Sequence, residues 1–184
     1  MEDMLVHAEA AIQRGDFEAA IRTLTTALAE EPDNPRALAD IGVAFTEAGE
    51  NEKADKALSF CLKIDPDNVE ALEARGCSAL RQREYEDAET YLNRARNVEP
   101  QNASVLRNLS VLYSQTERHE LSFETLERSY ELNPRDYLTL YALSFAYLNE
   151  GKPERARRVL NELLDLDVPA DIRAMAEEQR KKID

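Results

Sequence analysis

A chain of 184 residues that is 43% hydrophobic and 33% charged has the apolar side chains a folded core needs and more than a disordered segment carries. A net charge of −14, with a pI near 4.7, repels phosphate backbones and anionic lipid, so neither nucleic acid nor a membrane is expected as a partner. The opening MEDMLVHAEA is acidic and holds no long apolar run, which speaks against a signal peptide or a transmembrane helix and for a cytoplasmic location; two cysteines, Cys61 and Cys77, fall short of a disulfide scaffold.

The predicted elements come in pairs. In the first 34 residues Met4 and Ala8 stand on one helical face, Gly15-Asp16 makes a turn, and Ala20 and Leu24 open a second helix. The next pair repeats the plan with Leu38, Gly42 and Phe45, the turn Gly49-Glu50, then Ala54, Leu58 and Cys61. The third carries Leu72, Gly76, Ala88 and Leu92, and the fourth Leu106, Ser110, Ser122 and Leu126. The fifth carries Leu140, Ser144, the turn Gly151-Lys152, Ala156 and Leu160. Arg83 and Glu117 stand where the other turns have glycine, so those two turns are expected to be strained or differently closed. The small columns allow two helices to approach closely, and the leucine column fills the space beside them.

Pro32, Pro66, Pro100 and Pro134 recur every 34 residues, in EPDNPRAL (31–38), DPDNVEAL (65–72), EPQNASVL (99–106) and NPRDYLTL (133–140). Proline stops the preceding helix, and an Asp or Asn after it (Asp33, Asn34, Asp67, Asn68, Asn102, Asp136) can cap the next one. Residues 171–184 form a last helix, expected to be capped by Asp171, with Ile172, Met175, Ala176 and Ile183 as its apolar stripe and Arg180, Lys181 and Lys182 suiting its C-terminal end. No matching cap precedes the first helix. Leu5, Val6 and Ile12 are therefore expected to be partly exposed, either because the natural chain is longer or because that end meets a partner.

The 34-residue period resembles the tetratricopeptide repeat family, whose pattern is W-x2-L-G-x2-Y…A-x3-F…P. Here it reads Leu38-x2-Ile41-Gly42-x2-Phe45…Ala54-x3-Leu58…Pro66 and Leu140-x2-Leu143-Ser144-x2-Tyr147…Ala156-x3-Leu160. Departures are the absence of tryptophan, Arg75 in an apolar column, and a last proline shifted by one to Pro169. The resemblance covers residues 1–170. It implies an all-α, right-handed superhelical solenoid of five helix-turn-helix repeats at 1–34, 35–68, 69–102, 103–136 and 137–170, closed by a capping helix at 171–184.

Catalytic chemistry is not expected. His7 and His119 have no ligand-spaced companions, and His119 shares the column of Phe17 and Tyr85, which gives it a packing role. Cys61 shares a small, buried column with Ala27 and Ala95, no activating base accompanies Cys77, and the five glycines form no phosphate loop. No metal and no cofactor are expected.

The resemblance places function in a concave groove lined by the first helix of each pair, which cradles a peptide or helix of another protein. The residues it brings there are Val43, Glu70, Glu73, Cys77 and Leu80, then Arg107, Val111, Leu138, Tyr141, Phe145 and Leu148. The acidic start of the groove (Glu2, Glu9, Glu47, Glu70, Glu73) and its apolar end suit a partner with basic residues and apolar anchors. Covering of Tyr141, Phe145 and Leu148 by the last helix is the alternative. Some relatives clamp acidic chaperone tails with lysine, asparagine and arginine. The matching positions here are Leu5, Glu9, Asp40, Glu70 and Ala74, so that activity is not expected. An acidic protein-binding adaptor or scaffold is the expectation. The second is a structural module that forms homo-oligomers, through the uncapped first helix or through a terminus entering a neighbour's groove.

Overall fold

The protein is described from a computed structural model covering residues 1–183, and among the described residues every regular element is an α-helix. In chain order these are α1 (Glu2–Gln13), α2 (Phe17–Glu30), α3 (Pro35–Glu47), α4 (Asn51–Ile64), α5 (Val69–Gln82), α6 (Tyr85–Val98), α7 (Ala103–Gln115), α8 (His119–Leu132), α9 (Tyr137–Asn149), α10 (Pro153–Leu164) and α11 (Ala170–Ile183). From α3 onward the first helices of successive pairs begin at 35, 69, 103 and 137, and from α2 onward the second helices begin at 17, 51, 85, 119 and 153. The sequence period is thus carried into the backbone residue by residue.

Local chemistry explains both junctions of the repeat. Asn34, Asn68 and Asn102 each accept the backbone N–H three residues on, from Ala37, Ala71 and Val105, and Asp136 accepts that of Leu138. Each satisfies one of the N–H groups that a helix start leaves unpaired. The capping residue is therefore the last one before each helix; Asp33 and Asp67, one position earlier, do not serve. Between the helices of a pair the chain passes through a left-handed residue, Gly15, Gly49 or Gly151, at φ 74°, 77° and 67°. Arg83 and Glu117 hold the same conformation at φ 61° and 62°, so those turns close in the same way and carry the steric strain of a Cβ there.

The chain forms two compact units. In residues 1–100, α3 packs on α4 and α5 on α6 through the small column: a Cβ built on Gly42 or Gly76 would lie 2.5 Å from Cγ of Leu58 or Leu92. Leu5, Ala8, Leu24, Ile41 and Ala44 fill one core cluster and Leu38, Ala54, Leu58, Cys61 and Ala71 another. Cys61 is buried, as its column predicts, and its thiol donates to the Pro35 carbonyl at 3.2 Å. Arg75, the anomaly of its column, reaches sideways to Asp55 of α4 at 2.7 Å and to the Tyr91 hydroxyl of α6 at 3.0 Å. The expected exposure at the N-terminal end holds for Val6; Leu5, by contrast, is buried against α2 and α3, because it points to the packed side of α1.

In residues 101–183 the core gathers Leu126, Leu140, Leu143, Tyr147, Val159, Leu160 and Leu163. Serines replace alanine and glycine here and find partners: Ser122 donates to the Ser110 carbonyl and Ser129 to that of Ala103, each at 2.8 Å. Helix α11 lays Ala176, Ile172 and Ile183 on this core, and the Ser144 hydroxyl donates to Gln179 Oε1 at 2.9 Å. Arg173 fixes the entry to α11 by donating to the carbonyls of Leu164 and Leu166. Because α11 starts at Ala170, Asp171 lies in its first turn rather than capping it, and Asp184 lies outside the described residues. His119, the first residue of α8, is exposed, so it does not pack as Phe17 and Tyr85 suggested.

Candidate partner-binding surfaces

The first surface belongs to residues 1–100 and is built by α1, α3 and α5. Arg36, near the start of α3, reaches back to α1: its Nη1 meets Glu2 Oε1 at 2.8 Å and its Nε meets Glu9 Oε1 at 3.0 Å. These two carboxylates hold the guanidinium proton more firmly than usual. One turn further along α3 stands Asp40, only 1% exposed, with Oδ2 lacking any hydrogen-bond donor among the described residues. Burial, with the charges of Glu70 and Glu9 added, pushes its carboxyl up to about 7 against the opposing pull of Arg36. Glu70, at the start of α5, keeps its side chain open to water, yet the crowding around its carboxyl strips enough solvent to raise it, with the charges of Glu9 and Glu73 adding to the rise. Such a surface can do one thing well: stabilise a positive charge brought to it.

The second surface belongs to residues 101–183. Phe145 is 45% exposed, and Tyr141, one turn before it on α9, meets its ring edge-on at 5.1 Å between centroids. On one side of Phe145 a cleft of about 520 Å³ runs between α7 and α9, past Val111, Ser114 and His119 to Phe123. On the other side a recess of about 590 Å³ lies between α9 and α11, with Leu148, Met175 and Lys182 in its wall. Phe145 is therefore a ridge between two hollows. Leu138 and Val111 add exposed apolar area on the same helices.

Of the residues predicted from the sequence, Glu70, Val111, Leu138 and Phe145 are open to solvent, and Val43, Glu73, Cys77, Tyr141 and Leu148 are half-buried. Two have other duties. Leu80 is 8% exposed and belongs to the interior of α5. Arg107 is held by Asp136 at 2.6 Å, an ion pair largely withdrawn from water that ties α7 to the start of α9. Burial alone would raise the Asp136 carboxyl, but the Thr139 hydroxyl and Arg107 outweigh it and leave it below the usual range. The covering of the apolar end by α11 is partial: Leu148 and Tyr141 are half-covered and Phe145 is not. Sequence reasoning named Asp40, Met175 and Lys182 but did not count them among the partner-binding residues. Asp40 had a usable signal, an acid in a column otherwise made of Val6, Ala74, Asn108 and Ala142.

Among the described residues no helix is long and apolar enough to cross a membrane. Helix pairs on a 34-residue spacing, each joined by a left-handed turn, define an α-helical repeat protein. The chain belongs to the tetratricopeptide repeat family, which it matches at residues 11–76, 73–137 and 138–167. Its fold is shared with a thermophilic tetratricopeptide repeat protein of Thermus thermophilus (TM-score 0.86, 19% identity, 97% of each chain). It is also shared with PilF of Pseudomonas aeruginosa (TM-score 0.76, 21% identity, 99% of this chain and 87% of that one). MamA of Desulfovibrio magneticus RS-1 aligns at TM-score 0.66 and 21% identity, over 90% of this chain and 93% of that one. Comparison with curated proteins finds no match.

Proposed function

We propose that this protein is a protein-interaction scaffold whose first helices hold a peptide or amphipathic helix of a partner carrying both apolar anchors and basic residues. The 34-residue units are its building blocks, and the residues that vary between them, rather than those that repeat, form the binding surface. The observation that carries this proposal is Phe145. An aromatic ring 45% exposed, standing between two hollows and flanked by Leu138 and Val111, forgoes the stabilisation that burial would bring. Fully burying such a side chain contributes about 1.5–3 kcal/mol, which a partner's apolar anchor can recover.

Phe145→Glu leaves the core of residues 101–183 untouched, since Leu140, Leu143 and Tyr147 face the other way on α9. The expected outcome is loss of partner capture from native lysate, with the helical circular dichroism spectrum and thermal midpoint of the parent retained. The exposed variant Glu131→Gln serves as control and captures the partner normally. Equal capture by Phe145→Glu and the parent chain would remove the surface from consideration.

A further inference from the structure

We propose that the outward face of α4 is a docking site for a partner's amphipathic helix that carries an apolar residue between two carboxylates. The site lies on a second helix of its pair, away from the first helices discussed above, and does not depend on them.

Positions 53, 56, 57, 60, 63 and 64 fall on one face of α4. They hold Lys53, Lys56, Ala57, Phe60, Lys63 and Ile64, and all but Ala57 are exposed. Ala54, Leu58 and Cys61, on the other side of the helix, are buried in the core. No acid stands on this outward face. The corresponding face of every other second helix has at least one: Glu30 on α2, Asp87 on α6, Glu124 and Glu131 on α8, Glu162 and Asp165 on α10. The three lysines of α4 are all that residues 1–100 contain, in a unit of 22 Asp and Glu against 11 Lys and Arg.

Charge balance alone does not explain them. Exposed cations elsewhere pair with acids of their own helix: Arg22 with Glu18, Arg128 with Glu131, Lys182 with Glu178. Lys53 follows that habit, held by Glu50 and lying over the Phe45 ring. Lys56 and Lys63 have no ion pair among the described residues, although Glu52 stands one turn before Lys56. Packing does not explain Phe60 either. It is 41% exposed, and the same position holds Thr26, Arg94, Arg128 and Glu162 in the other pairs. Ile64, one turn further on, is equally exposed. An apolar centre rimmed by uncommitted charges marks an interaction site.

Charge and spacing define the occupant. Lys56 and Lys63 are seven residues apart, about 10 Å along the helix axis. A helix laid beside α4 meets them with carboxylates at i and i+7 and sets an apolar residue at i+4 against Phe60 and Ile64. Other anionic occupants are disfavoured. A second copy brings −14 against −14, and nucleic acid or anionic lipid presents a dense negative field to a unit of net charge −11. The same field selects against a plain polyacid. Carboxylates that reach the two lysines are stabilised, and further ones meet acids such as Glu52.

The test uses the full chain and a lactam-bridged, alanine-based helical peptide with Glu, Leu and Glu at i, i+4 and i+7. Fluorescence anisotropy gives its affinity and amide NMR shifts locate it. The peptide is expected to shift the amides around Phe60. It should bind severalfold more tightly than its Gln–Leu–Gln and Glu–Ala–Glu counterparts. Lys56→Glu combined with Lys63→Glu should weaken it at least tenfold. That variant should also let a Lys–Leu–Lys peptide shift the α4 amides, which the parent chain does not. Phe60→Ser should weaken the Glu–Leu–Glu peptide severalfold. Arg22→Glu combined with Arg128→Glu makes the same change in net charge away from the face and should leave affinity within about twofold. All these positions are exposed, and the peptide series tests the parent chain independently of any variant. Equal binding of the Gln–Leu–Gln peptide, unmoved α4 amides, or unchanged affinity in the Lys56→Glu, Lys63→Glu chain overturns the site. Polyglutamate binding as tightly as the patterned helix reduces the effect to bulk charge and overturns it too. Light scattering over a concentration series and flotation with phosphatidylserine vesicles probe the other occupants. Association in either that Phe60→Ser abolishes would assign the face to a second copy or to a membrane and overturn the partner helix.

Discussion

Asp40 shows how one residue can set a pH response. Its carboxyl titrates near 7 in the folded chain, against about 3.8 for an ordinary Asp, because burial and the charges of Glu70 and Glu9 favour the neutral form. Between those two values the native state holds a proton that the unfolded state has lost, so stability falls as pH rises from about 4 to about 7 and is level above. The size of the fall is about 2–4 kcal/mol for a shift of this order. Asp40→Asn removes the titrating group, so urea unfolding between pH 5 and pH 8 should show a markedly shallower slope for the variant. Parallel stability profiles for the two chains would mean that Asp40 ionises normally. The position was visible in the sequence as an acid in a column that otherwise reads Val6, Ala74, Asn108 and Ala142, but its consequence was not. Periodicity gives the face on which a side chain sits; it does not give which charges from α1 and α5 converge on it. Arg107 shows the same limit from the other side. The resemblance placed it among the groove residues, and Asp136, 29 residues away, takes it up.

At the scale of the helix pair, the fold was almost wholly legible. Helix starts follow the 34-residue period because the same few residues recur at each junction: an Asn or Asp cap, a left-handed turn, and a small residue facing a leucine. The deviations were legible too, and they locate stored strain. Arg83 and Glu117 occupy the left-handed region where Gly15, Gly49 and Gly151 stand in the other pairs. A residue with a Cβ pays about 1–2 kcal/mol there, partly offset by the extra freedom glycine loses on folding. Arg83→Gly and Glu117→Gly should therefore each raise stability by about 0.5–1 kcal/mol, read as a rise in the urea midpoint with unchanged slope. A lowered midpoint would show that these side chains contribute more than their backbone costs. Which residues of a binding face remain open was less legible at this scale. Leu80 and Leu148 share a column, yet Leu80 is buried and Leu148 lines a recess whose other wall is α11. The course of α11 beside Phe145, with Met175 and Lys182 on its wall, depends on a link of irregular sequence after α10 and follows no period.

At the scale of the whole molecule, charge is the property that acts before any contact forms. A net −14 sets up a long-range field that speeds the approach of a basic partner, and dissolved ions screen it over about 8–10 Å at ordinary ionic strength. The proposed short-range contact, an apolar anchor beside Phe145, would form only after encounter and act mainly on how long the complex lasts. The two contributions can be separated by rate. For a partner segment carrying both lysines and apolar anchors, raising sodium chloride from 50 to 500 mM should slow association roughly tenfold or more while changing dissociation far less. Phe145→Glu should do the reverse: it makes the field slightly more negative, leaves association nearly unchanged, and speeds dissociation by tenfold or more. Stopped-flow fluorescence with a labelled segment measures both rates. If association ignored salt while Phe145→Glu slowed it, apolar contact would precede the electrostatic encounter, and the acidic surface would have no part in recruiting the partner.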